Sequence, residues 1–126
     1  MSKNTIVLAI CSLFIFEQCK SKKDTESPVV SISNPQEGAN YTKGQNLNLK
    51  INFTDNDELH HVVWSIQGKQ NNVIVSQYDM HVDNSSWSID TNIMITDSIN
   101  TDYLLSTETE DHSENLTKKT VSFSIK

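Results

Sequence analysis

The carboxylates that could do chemistry in this chain fall in two groups. Asp55, Asp57 and Glu58 stand together in Thr54-Asp55-Asn56-Asp57-Glu58, and Glu108, Glu110, Asp111 and Glu114 stand close to the C-terminus. Hard oxygen ligands offered from separate loops suit Ca²⁺, which accepts roughly six to eight of them in flexible geometry. Asp55, Asp57, Glu58, Glu110 and Asp111 are therefore a Ca²⁺ candidate set, provided the fold brings the two segments together. Asp55-Asn56-Asp57 lacks the glycine and the distant glutamate of an EF-hand loop, so one segment cannot make the site alone. The alternative is a solvated acidic rim that keeps a small protein soluble.

The histidines are His60, His61, His81 and His112. His60 and His61 are adjacent on an extended segment and are expected to point to opposite faces, which argues against joint chelation. Neither an HExxH pattern nor a paired-cysteine spacing is present for zinc, and surface histidines are the expectation. No nucleophile elbow or glycine-rich oxyanion loop accompanies the serines, aspartates and histidines. Paired carboxylates for glycoside hydrolysis would need a cleft that a lone small sandwich rarely offers. A chain that is not an enzyme is expected. Among the aromatics, Tyr78 and Trp87 are candidates for stacking sugar rings, whereas Trp64 shares an alternating face with Val62 and Ile66 and reads as core.

Composition narrows the partners. The chain has 126 residues and a net charge of −6, and its ten cationic side chains are all lysine. Without arginine, and with an acidic balance, nucleic acid is an unsuitable partner, and no polybasic patch is available for anionic lipid head groups. Both cysteines, Cys11 and Cys19, precede the folded region, which must hold together without a disulfide or a thiolate metal site.

Residues 1–19 read as an export signal: Lys3, then the apolar run Ile6–Phe16 interrupted only by Ser12, too short to span a bilayer. The run leads to Glu17-Gln18-Cys19 and a polar tether over 20–27. That arrangement resembles a bacterial lipoprotein signal, which implies that Cys19 is the lipidated residue. Gln18 departs from the small residue usual before such a cysteine. The alternative is an ordinary secretory signal with an incidental cysteine.

From Pro28 onward the apolar residues repeat with period two. Leu47-Asn48-Leu49-Lys50-Ile51-Asn52-Phe53 is the clearest strand, with apolar and polar side chains on opposite faces. Thr54–Glu58 reads as a loop and Gly68–Asn72 as a turn. Further alternating segments carry Val30, Val62 with Trp64, Trp87 with Ile89, Tyr103 with Leu105, and Val121 with Phe123. About seven short strands without an amphipathic helix predict two packed antiparallel sheets over 28–126, an all-β sandwich, with a closed barrel as the alternative. The expected core is Val30, Leu49, Ile51, Phe53, Val62, Trp64, Ile89, Leu105 and Phe123.

Several segments carry a family resemblance. Pro28-Val29-Val30-Ser31-Ile32-Ser33-Asn34-Pro35, the turn at Gly38, Phe53–Leu59 leading to Val62-Val63-Trp64, and Tyr103-Leu104-Leu105 followed by Glu110-Asp111 resemble the Ig-like modules of Bacteroidetes surface lipoproteins and bacterial Ig-like and cadherin-like repeats. Glu114 stands where such repeats have a glycine, which implies a longer or looser turn there. The resemblance covers 28–126 and implies an immunoglobulin-like β-sandwich in the cell envelope, anchored through lipid, by expectation in the outer membrane of a Gram-negative bacterium. In that topology the two acidic segments would emerge at one end of the sandwich, beside the point where the chain enters. The expected role is an interaction module for a protein ligand, with a carbohydrate ligand as the alternative.

Overall fold

The computed structural model describes residues 22–126, so Cys11, Cys19 and the expected signal segment lie outside the described residues. The alternating run Leu47–Phe53 forms the first part of β3 (Asn46–Gly68), with Leu47, Leu49, Ile51 and Phe53 buried and the residues between them exposed. The other strands are β1 (Val29–Asn34), β2 (Asn40–Tyr41), β4 (Ile74–Met94), β5 (Asp102–Asp111) and β6 (Leu116–Ile125).

The two long strands, β3 and β4, each serve both layers of a curled sheet. Residues 46–54 of β3 pair with β1 and with 86–94 of β4, whereas residues 59–68 pair with 74–84 of β4 and with β5. β5 continues the second layer to β6, and β6 to the short parallel β2. The layers close over one core that includes Val30, Leu49, Ile51, Phe53, Val62, Trp64, Leu105 and Phe123, as the alternation predicts. Ile89 is only partly buried, because β4 has a neighbour on one side alone and leaves that flank open.

Thr54–Glu58 corrects the expectation of a loop: it is extended backbone within β3. Between Thr54 and Leu59, β3 advances five residues while β4 moves only from Ser86 to Asn84. The surplus residues form a bulged corner, where the strand passes from one layer to the other without ladder pairing. Asp and Asn favour such corners because their side chains bond nearby backbone; the Asp55 carboxylate accepts from the Asp57 N–H at 3.0 Å.

The turn joining β5 to β6 is short, not loosened by the missing glycine. Glu114 takes the left-handed conformation, with φ 68°. The buried Asp111 carboxylate holds the turn by accepting from the Ser113 and Asn115 backbone N–H groups, each at 2.8 Å.

Candidate functional site

Three carboxylates meet at the corner end of the sandwich. Asp24, Asp55 and Asp111 each offer an oxygen, all within 4.8 Å of one another. Asp24 comes from the segment leading into β1, Asp55 from the bulged corner of β3 and Asp111 from the end of β5, so the group joins both layers to the tether. Alternation along β5 turns Thr107, Thr109 and Asp111 inward, and the inner face of this strand grows polar as it approaches the cluster.

The hydrogen bonds leave this cluster incomplete. Asp111 is fully engaged by Ser113 and Asn115, including a 2.6 Å bond from the Asn115 side-chain amide, which also donates to the Asp24 carbonyl. Asp24 Oδ1 accepts from the Glu26 N–H at 3.0 Å, but Asp24 Oδ2 and Asp55 Oδ1 are buried without a partner. A buried carboxylate oxygen with no donor is costly. Burial, followed by the nearby charges of Asp111 and Asp24, raises the Asp55 carboxyl above its ordinary range. Asp24 is held low, chiefly by the Glu26 N–H that its Oδ1 accepts. None of the ion pairs among the described residues reaches the three.

The structure thus brings Asp55 and Asp111 of the sequence-derived set together and leaves Asp57, Glu58 and Glu110 outside. Glu110 alternates to the outer face of β5, and Asp57 and Glu58 are exposed on the corner. Asp24 was not foreseen, since nothing in a polar tether marks one aspartate as folded against the domain.

Tyr78 and Trp87 are also close, but not as a flat outward platform. They belong to a ladder running from one layer to the other: Phe53 to Trp87 at 5.7 Å between centroids, Trp87 to Tyr78 at 5.9 Å, and Tyr78 to Trp64 at 6.3 Å. Trp64 is buried, Trp87 half-buried and Tyr78 41 % exposed. The ladder seals the open flank at β4.

At the opposite end, apolar side chains face solvent. Val73, Val75, Met94, Ile95 and Ile99 line a shallow cleft with Asn71 and Asp97. Met94 and Ile99 are 58 % and 67 % exposed. Both segments lie where β3 and β4 finish, away from the corner that holds Asp55.

Two curled layers on one core, with Tyr103 donating its hydroxyl to the Asn100 carbonyl at 3.0 Å, define an immunoglobulin-like sandwich with a tyrosine corner. The family profile described as bacterial Ig domain matches residues 28–124, and the chain belongs to that family. No curated protein sequence matches it. Among solved structures it is similar to OgpA from Akkermansia muciniphila, at 13 % identity and a TM-score of 0.52. That match covers 83 % of this chain and 30 % of the other. It is also similar to a superoxide reductase from Ignicoccus hospitalis, at 4 % identity and a TM-score of 0.52, over 80 % and 81 % of the two chains. At these identities the likeness is one of fold, which hosts many unrelated functions.

Proposed function

We propose that this chain is a non-enzymatic lipoprotein of the cell envelope that presents its bacterial Ig domain as a protein-interaction module. The observation that carries this reading is the apolar cleft at the end remote from the tether, where Val73, Met94 and Ile99 are exposed beside the partly buried Val75 and the buried Ile95. Exposed apolar groups gathered in one patch mark contact surfaces more than scattered ones do. A chain anchored at Cys19 would hold that patch away from the membrane. Ca²⁺ is the ion this reading assigns to Asp24, Asp55 and Asp111, where it would relieve carboxylate repulsion and fix the tether to the sandwich. Asn56 and solvent would complete its oxygen shell.

The test places a photo-crosslinking side chain at Ile99, or at Lys118 near the tethered end as a control, in cells carrying the anchored protein. A discrete protein adduct from Ile99 alone supports the reading. Equal adducts from both positions would overturn the assignment of the cleft, and glycan binding abolished by Tyr78→Ala would replace the reading with the carbohydrate alternative. Cys19→Ala should move the protein from the membrane to the soluble fraction, and retention in the membrane would overturn the anchor.

A further inference from the structure

All four histidines of the chain gather on one outer patch at the corner end of the second layer. His60 lies 4.7 Å from His81 and 4.8 Å from His112 between ring centroids, and His81 lies 6.0 Å from His112. His61, the ladder partner of His81, flanks the group with its ring 6.4 Å from that of His60. These side chains come from three strands or turns, β3, β4 and the β5–β6 turn, so the fold alone assembles them.

Strand alternation would have sent His60 and His61 to opposite faces. Instead the ladder shifts register between Leu59 and His61 against both neighbours. Leu59 and Val62 are buried, while His60 and His61 are both partly exposed between them. Such a bulge re-aims a side chain, a device frequent beside functional sites.

Asp83 supplies the anionic member. Its Oδ1 accepts from Nε2 of His81 at 2.8 Å and from Nε2 of His112 at 3.0 Å, so two imidazole nitrogens converge on one carboxylate oxygen.

We infer that His60, His81 and His112, with Asp83, form a binding site for a divalent transition-metal ion of the imidazole-preferring class, Zn²⁺ or Cu²⁺, distinct from the all-oxygen cluster of Asp24, Asp55 and Asp111. Three imidazoles and a carboxylate are a donor set for Zn²⁺ and Cu²⁺, whereas Ca²⁺ favours oxygen alone. On binding, His81 and His112 carry their ring proton on Nδ1 and turn Nε2 to the ion. Asp83 remains as a ligand or as the acceptor that orients a ring. The histidines are partly exposed at the surface, and their rotamers can adjust to the short bonds of about 2.0–2.1 Å that zinc requires.

The test is calorimetric titration of the purified protein with Zn²⁺ alone, repeated in saturating Ca²⁺, together with electron paramagnetic resonance after one equivalent of Cu²⁺. One ion per chain is expected, undiminished by Ca²⁺ and by Asp55→Asn. His81→Ala and His112→Ala should each weaken it by about tenfold or more, the least that loss of a direct ligand should cost. The Cu²⁺ spectrum should show nitrogen coupling from more than one imidazole, which reports ligation directly if a variant folds poorly. Absence of stoichiometric binding, binding that survives the histidine substitutions in folded protein, or a spectrum without imidazole nitrogen would overturn the site. Zinc binding lost in Asp55→Asn but kept in His81→Ala would assign the ion to the carboxylates instead.

Discussion

Tyr78 and Trp87 belong to the same strand, yet their rings lie 5.9 Å apart and within 10° of parallel. On a straight strand the two positions would be separated by about 30 Å. The fold of β4 across the corner brings them together, and the ladder they form with Phe53 and Trp64 joins one layer to the other. Trp64→Ala should therefore cost about 3–5 kcal/mol, as removal of a buried tryptophan does. Tyr78→Ala, at an exposed rung, should cost about 1 kcal/mol. Urea unfolding midpoints check both, and an unchanged midpoint for Trp64→Ala would remove the ladder from the core.

Millimolar Ca²⁺ should raise the melting temperature by several degrees. A ligand bound only to the folded state adds about 2.7 kcal/mol at a hundredfold excess over its Kd. Asp24→Asn combined with Asp55→Asn should abolish the rise, and Mg²⁺ should produce less of it because it demands tighter octahedral geometry. A melting curve indifferent to Ca²⁺ would leave the three carboxylates as a strained acidic corner.

Without divalent ions, Asp55 gives a pH dependence opposite to that of an ordinary paired carboxylate. Burial and the charges of Asp111 and Asp24 raise its folded pKa above the ordinary 3.8. Between the two values the folded state binds more protons, so the contribution is fully present below 3.8 and lost as pH rises through the folded value. Asp55→Asn should consequently be more stable than the parent at neutral pH in a chelator. The difference should shrink as the pH falls through the folded value and level off only below about 3.8, where the parent carboxyl is protonated in both states. Paired melting curves across that range decide it, and a constant difference would mean that Asp55 is not desolvated.

Glu114 holds a left-handed φ of 68° in the β5–β6 turn. A side chain with a Cβ pays about 1–2 kcal/mol there, and glycine does not, although glycine gives back part of that gain in the unfolded chain. Glu114→Gly should stabilise the domain by roughly 0.5–1 kcal/mol. A lower denaturation midpoint would show that the Glu114 side chain makes a contact worth more than the strain.

Much of the sandwich is legible in period-two patterning. Leu49, Ile51, Phe53, Val62, Trp64, Leu105 and Phe123 are buried where alternation puts them. The continuity of β3 through Thr54–Glu58 is not legible, because Asp and Asn signal a loop and a bulged corner alike. The same limit hides the histidine patch: alternation separates His60 from His61 only on an unbroken ladder, and the register shift after Leu59 breaks it. Asp24 joins Asp55 and Asp111 only through long-range folding of the tether, of which no local residue pattern gives notice.

Because β3 and β4 run through both layers, one hairpin supplies the first pair of strands to each. From the turn at Gly68, where the Gly68 N–H meets the Val73 carbonyl at 2.9 Å, the ladder extends with shifts at its bulges to Asn46 opposite Met94. Zippering outward from that single turn would lay down neighbouring strands of the second layer, pass the corner, and continue into the first. Each step would close only a small additional loop, so the entropy lost per new pair would stay low. β1 and the β5–β6 hairpin would then dock on a template whose register is already set. A slip at the turn would consequently misalign both layers at once.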